Sequence, residues 1–261
     1  MTNAKFRLLE DDIIEVWERK LYRIESLEDF ANVQKGDKGG YLEKEENLAT
    51  TGDAWVFGNA RVTGNARVSG NAEVTGNARV SGNAEVTGNA RVSGNAEVFG
   101  NARVFGNVWV SGNAEVFGNA WVSGDAEVFG NAWVSGNAWV SGDAWVSGNA
   151  WVSGDARVYG NAWVFGDARV YGNARVFGNV RVTGNARVSG DADLIAIYPI
   201  GSESGILTAF KNKEGKISVT RGCFAGTLEE FAVAVEKTHG DNNHAKSYRI
   251  AIELIKSRLE E

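Results

Sequence analysis

From Thr51 to Leu194 the chain repeats one six-residue pattern of small, polar and apolar positions without a break. Glycine stands at 52, 58, 64 and every sixth position to Gly190. Asn or Asp follows each one, then Ala (Val at 108 and 180), a variable residue, and Val (Leu194 in the last copy). Ala and Val lie two apart, so in a strand they share one face and the residue between them points the other way. Ala60 and Val62 are thus predicted to face inward and Arg61 outward. The residue after Val, with Gly and Asn or Asp, reads as a corner, because Gly takes positive φ at no steric cost and Asn and Asp tolerate it best among the others. Strands this short have no core of their own. They must stack coil upon coil, and the expected fold is an all-β solenoid.

The phrase V-x-G-[ND]-A-x resembles the hexapeptide repeat of left-handed parallel β-helices. That resemblance implies three phrases per triangular 18-residue coil, about eight coils in all, and a left-handed path. The general rule for parallel crossovers would by itself predict a right-handed one. At ~4.8 Å per strand layer the rod is expected to be roughly 38 Å long. Its interior, three Ala and three Val per coil, leaves no room for a ligand.

Three segments are expected: an N-terminal cap over 1–50, the hexapeptide-repeat solenoid over 51–194, and a C-terminal α+β domain over 195–261. In the first, alternation in Ile13–Trp17 and Leu21–Ile24 around E-R-K predicts a hairpin. Ser26-Leu-Glu-Asp29 predicts a capping box with one helical turn. The glycines of G-D-K-G-G-Y-L, 36–42, suit an irregular first coil. In the last, Leu194–Pro199, Ile206–Asn212 and Lys216–Arg221 predict three strands. Thr227-Leu-Glu-Glu230 opens a helix running to about Lys237. A second helix carries Tyr248, Ala251, Ile252, Ile255 and Leu259 on one stripe. Caps have a clear purpose here, since open solenoid ends expose unpaired strand edges.

The segments L-Y-R-I, G-D-K-G-G-Y-L, Y-P-I-G-S, R-G-C-F-A-G-T-L-E-E-F and T-H-G-D-N-N-H, together with the repeat, resemble uncharacterised hexapeptide-repeat proteins of phages and prophages from Gram-positive bacteria. The resemblance covers the whole chain and implies a genomic context without an activity.

The net charge of −6 divides into −4 over 1–50, −2 over 51–193 and zero over 194–261. No segment is basic overall, which argues against nucleic acid as a partner. One cysteine excludes an internal disulfide framework and suits a reducing compartment. The start lacks an apolar signal core and no stretch is long and apolar enough to span a bilayer, so a cytoplasmic protein is expected, in the host bacterium if phage-encoded.

Many left-handed β-helices are acyltransferases, and the enzymes this fold resembles use a solenoid histidine, an extruded loop and a cleft between subunits. Here the repeat contains no histidine, cysteine or lysine and no insertion. General base catalysis needs a group titrating near neutrality, so the rod is expected to be non-catalytic. Both histidines stand in H-G-D-N-N-H, where His239, Asp241 and His244 are weak candidates for a metal or an acid–base pair. The simpler reading is a helix junction, with Gly240 ending one helix and Asp241, Asn242 or Asn243 capping the next. Cys223, beside Phe224, is expected to be packed rather than reactive. No cofactor is expected.

In steps of 18 the outward positions form three columns. Trp109, Trp121, Trp133, Trp139, Trp145, Trp151 and Trp163 gather in the middle coils of all three, with Arg or Glu above and below. Such a girdle is either ladder packing that shields strand backbone or a surface for a protein partner, since Trp and Arg are the commonest hot-spot residues. The expected function is therefore a non-catalytic binding protein acting through protein contacts or self-association, a homo-oligomer among the options. A phage role, such as inhibiting a host or defence protein, comes from the resemblance alone. The competing readings are an enzyme with its site in the C-terminal domain and a purely structural rod.

Overall fold

The computed structural model describes residues 4–16 and 18–260. The chain is a β-solenoid of about eight turns with an 18-residue repeat, a β-sheet cap at its N-terminal end, and an antiparallel sheet with two helices at its C-terminal end.

Each hexad but the last supplies a rung, mostly two residues long, and the rungs up to Arg169 pair in parallel with the rung 18 residues on, as Arg61 with Arg79 and Val62 with Val80. Sheet I holds the rungs from Arg61 to Arg187, sheet II those from Trp55 to Arg181, and sheet III those from Arg67 to Arg175. Backbone bonds cross between coils at each phrase, as from Arg61 N to Ala78 O (2.9 Å), Thr63 N to Val80 O (2.9 Å) and Asn65 N to Gly82 O (2.7 Å). The Ala and Val columns are sealed from solvent along the rod.

Glycine at the corner meets two demands at once. Gly82 has φ +70°, and a Cβ there would lie 2.8 Å from the Gly100 carbonyl oxygen. A side chain would be strained by its own backbone and by the coil beside it. The residue after glycine continues the stacking outside: the Asn65 carboxamide donates to Asn83 (3.2 Å), and that line runs through Asn101, Asn119 and Asn137 to Asp155. The ladder stops at Asp155 because a carboxylate accepts but cannot donate.

In the cap, β1 (Phe6–Val16) pairs antiparallel with β2 (Arg19–Ser26), and β2 with β3 (Lys38–Leu42). The expected hairpin is thus longer and its turn tighter, with Arg19 and Lys20 already in β2; Trp17 lies outside the described residues. β3 continues sheet I, pairing Leu42 with Val62 at an offset of 20 residues, two more than a regular coil. The helical turn expected at Ser26–Asp29 does not form. The Ser26 hydroxyl donates to the Glu28 carbonyl, and the Ser26 and Leu27 amides donate to Asp37 and Lys5, which holds the segment in the sheet.

At the other end the last phrase leaves the solenoid. Gly190 is extended and Asp191–Asp193 forms a 3-10 turn, so sheet III has seven rungs. Asp191 accepts from the Arg175 amide (3.1 Å), and Asp193 accepts from the backbone and hydroxyl of Ser189. Burial raises the Asp193 pKa, but the Ser189 bonds and Lys211 outweigh it and hold the group below the usual carboxylate range.

Beyond the rod, β4 (Leu194–Ile200), β5 (Gly205–Lys211), β6 (Ile217–Arg221) and β7 (Phe224–Thr227) form an antiparallel sheet in chain order. The expected three strands are four. β7 is short, lacks alternation and runs straight into the N-cap, and its Gly226 leaves room for the Glu230 carboxylate to reach back to the Thr227 amide (2.8 Å). α1 (Leu228–His239) and α2 (Asn243–Leu259) pack on the face carrying Leu207, Ala209 and Val219. Phe210, on the opposite face, joins the core of the rod and closes its end.

Candidate interaction surface

The outward positions of the coils divide the rod along its axis. In the first half Arg and Glu alternate and pair across coils: Arg79 with Glu97 at 3.1 Å, Arg91 with Glu73 at 3.6 Å, Arg103 with Glu85 at 3.5 Å. Glu115 follows Glu97 directly in sheet I, and burial together with the Glu97 charge pushes its pKa up.

The tryptophans come next, as a stack on each sheet. Trp133 and Trp151 lie parallel on sheet I with centroids 4.8 Å apart, and Trp145 and Trp163 likewise on sheet II at 4.9 Å. On sheet III Trp121 and Trp139 meet edge to face at 5.8 Å. Each stack is closed from the N-terminal side by a corner phenylalanine sixteen residues earlier: Phe117 on Trp133, Phe129 on Trp145, Phe105 on Trp121. Arginine closes the other side, Arg169 over Trp151 (4.5 Å), Arg181 over Trp163 (4.7 Å) and Arg157 near Trp139 (5.9 Å). Trp109 stands apart, its Nε1 donating to the Ser93 hydroxyl (3.2 Å).

Stacking does not bury the girdle. Trp109, Trp121, Trp139 and Trp151 keep 48%, 38%, 40% and 36% of their surface exposed, while Trp133, Trp145 and Trp163 are half-buried. Trp55, in the same outward register, is the exception at 1% exposure. The cap covers it: Phe6 and Phe30 meet it edge-on, and Lys5 Nζ donates beside it to Gly52 O (2.8 Å) and Ala54 O (2.7 Å). Periodicity alone could not separate Trp55 from the other tryptophans, because the residues that cover it come from outside the repeat.

A feature that the segment charges concealed lies beyond the girdle. Arg157, Arg169, Arg175, Arg181 and Arg187 occupy successive outward positions interrupted only by Trp163. Among the described residues none of the five joins an ion pair, and Arg157 faces Arg175 and Arg169 faces Arg187 across neighbouring rungs. Like charges opposed in this way cost stability, which the ring contacts of Arg157, Arg169 and Arg181 and the bonds from Arg187 to the Asp167 and Ala186 carbonyls offset.

In the C-terminal unit the histidine rings lie 5.8 Å apart, but Asp241 does not join them. Its carboxylate accepts from Arg249 (3.0 Å), whose pKa the Glu236 and Asp241 carboxylates raise. Asn242 caps α2 by accepting from the Ala245 amide (3.0 Å), and Gly240 (φ +53°) ends α1. Among the described residues no group of three His, Cys, Asp or Glu side chains is placed to hold a metal ion. Cys223 is exposed rather than packed, since it sits in the tight β6–β7 turn after Gly222 (φ +59°). No helix of the described residues is long and apolar enough to cross a membrane.

Six windows of the rod, at 54–70, 66–82, 96–112, 150–166, 156–172 and 168–184, match a family model described as YdcK beta solenoid repeat. The rod is similar to that repeat along these windows. No curated protein matches the chain significantly.

Proposed function

We propose that the protein is a non-catalytic binding rod whose aromatic girdle and arginine collar dock a protein partner. The observation that carries this reading is the continued exposure of Trp109, Trp121, Trp139 and Trp151 after their stacking contacts are made. Ladder packing accounts for parallel rings, but exposed indoles beside arginines that no carboxylate neutralises are the residue types that dominate protein interfaces. The stacked backbone holds these side chains rigidly, so little order has to be gained on binding. Because the girdle occupies all three sheets, the partner wraps the rod or several copies surround it. The resemblance of the terminal segments to phage and prophage proteins supports a host bacterial protein, a defence protein included, as the partner, and the bacterial cytoplasm as its place of action.

The test is capture from a bacterial host lysate, with light scattering for self-association, comparing the intact chain with Trp121→Thr/Trp139→Thr, Trp133→Thr/Trp151→Thr and Trp145→Thr/Trp163→Thr. One of these pairs should lose association while the rod stays folded. Unchanged capture and self-association in all three, each with a lowered melting temperature, would reduce the girdle to ladder packing.

A further inference from the structure

The C-terminal sheet does not cover the last coil evenly. It holds the end of sheet I through a bridge between Ala186 and Asn212 and through the Lys213 amide, which donates to Asn185 O (3.0 Å). It holds the end of sheet II through the Thr220 hydroxyl, which donates to Arg181 O (3.1 Å). Sheet III ends differently. Its last rung, Arg175–Phe177, pairs with Arg157–Tyr159 on one side and with no strand on the other. The corner after it is open too: a Cβ on Gly160 would lie 3.0 Å from Gly178, but one on Gly178 would meet nothing within 4 Å.

A groove of about 660 Å³ opens at this end. Phe177 and Val180 line it from the rod, and Leu194, Ala196, Tyr198 and Ile206 from the C-terminal sheet. Leu194 is paired with Phe210 and Ala196 with Thr208, on the face of the sheet that meets the rod. Residues 194, 195 and 196 all border the groove although side chains of a strand alternate between faces, so the groove runs along the edge of β4. β4 is an outer strand of its sheet and its seven residues carry no charge. Such an edge is a template for pairing with another chain. Beside it Phe177 and Tyr198 keep 53% and 68% of their surface exposed.

The charge at the groove specifies what fits. Each outward side chain of the rod stands beside the one 18 residues on, and Arg175 has Arg157 on one side. In register on its other side the sequence supplies an acid, Asp193, flanked by Ala192 and Leu194. That phrase turns aside, and Asp193 is held by Ser189 and by Lys211 (3.5 Å) instead. Asp191 also borders the groove, but it accepts from the Arg175 backbone amide. The Arg175 guanidinium forms no ion pair among the described residues.

We infer that this groove receives an extended segment of a partner protein, which pairs along β4, lays apolar side chains against Phe177 and Tyr198, and brings an Asp or Glu to Arg175. Strand addition supplies main-chain bonds, and alternate side chains supply the selectivity. A carboxylate on the arginine adds a charge-assisted bond and relieves the repulsion from Arg157. The fold already extends one sheet in this manner, since sheet I continues into β3 of the N-terminal cap. The inference rests on the protein-binding reading of the collar and not on that of the girdle.

The experiment is fluorescence anisotropy of labelled, capped peptides as long as β4, titrated with the full chain beside light scattering of the chain alone. One peptide alternates valine with glutamate, a second valine with lysine, and a third is the first with its backbone N-methylated. The valine–glutamate peptide should bind saturably, at least about tenfold tighter than the other two. Phe177→Ser and Arg175→Gln, both at exposed positions, should each weaken it roughly fivefold or more, and Trp133→Thr/Trp151→Thr should leave it unchanged. No saturable binding, equal binding of the lysine or N-methylated peptide, or binding that both groove variants retain would overturn the inference. A dimer that Phe177→Ser disperses, with no peptide bound, would give the groove to a second copy instead. Peptide binding reads the groove alone, so its failure is distinct from any failure of the tryptophan pairs to lose capture.

Discussion

Trp133 and Trp151 stack 4.8 Å apart and within 7° of parallel, at the spacing of the strands that carry them. Rung spacing and ring spacing coincide, so the rings reach contact without bending the backbone. Replacing both by Thr keeps β propensity and removes the rings. We expect a loss of ~1–2 kcal/mol in denaturant unfolding, the scale of a cross-strand aromatic pair. Association should suffer more, because one hot-spot aromatic carries ~2 kcal/mol or more.

The interior is the least tolerant part. Val110 is fully buried in a column with no polar group to receive a carboxylate. Val110→Asp should destabilise the rod by several kcal/mol. A melting temperature near that of the wild type would show that the side chain escapes the column.

Glu115 offers a pH test. Its pKa in the folded chain is raised, by burial and by Glu97, above the ordinary value it has when unfolded. The folded state therefore holds the proton more firmly, and this group's favourable contribution, present at low pH, is lost as pH rises through the raised pKa. Glu115→Gln should stabilise the protein at neutral pH by roughly 0.2–1 kcal/mol. That advantage should shrink as pH falls through the raised pKa and be gone below the ordinary one. Urea melts at pH 7 and at acid pH measure both.

Lys5 closes the first coil by donating to the carbonyls of Gly52 and Ala54, which have no preceding rung of their own kind to bond. Lys5→Met keeps an unbranched apolar side chain but withdraws the ammonium from these carbonyls and from the Phe30 ring. The expected cost is roughly 1–3 kcal/mol, read from thermal or chemical melts.

The repeat carried most of the rod in plain view. With Ala and Val two apart and glycine every six residues, only one face can be dry and only one position can turn, so inward and outward positions follow from spacing, while the 18-residue coil that lines them up in columns was implied by the resemblance to hexapeptide repeats. The capping box at Thr227 and the junction at Gly240 and Asn242 were equally legible, because caps act within four residues of chain. What spacing could not supply was whatever depends on segments distant in sequence. Trp55 and Trp109 are equivalent in the repeat, yet Phe6, Phe30 and Lys5 bury the first and leave the second in solvent. The phrase at 189–194 obeys the pattern but turns aside, because Asp191 and Asp193 find backbone donors there. Phe210 closes the rod only because the C-terminal sheet folds back over its end. Local periodicity decides which way each side chain points, and tertiary packing decides what it meets there.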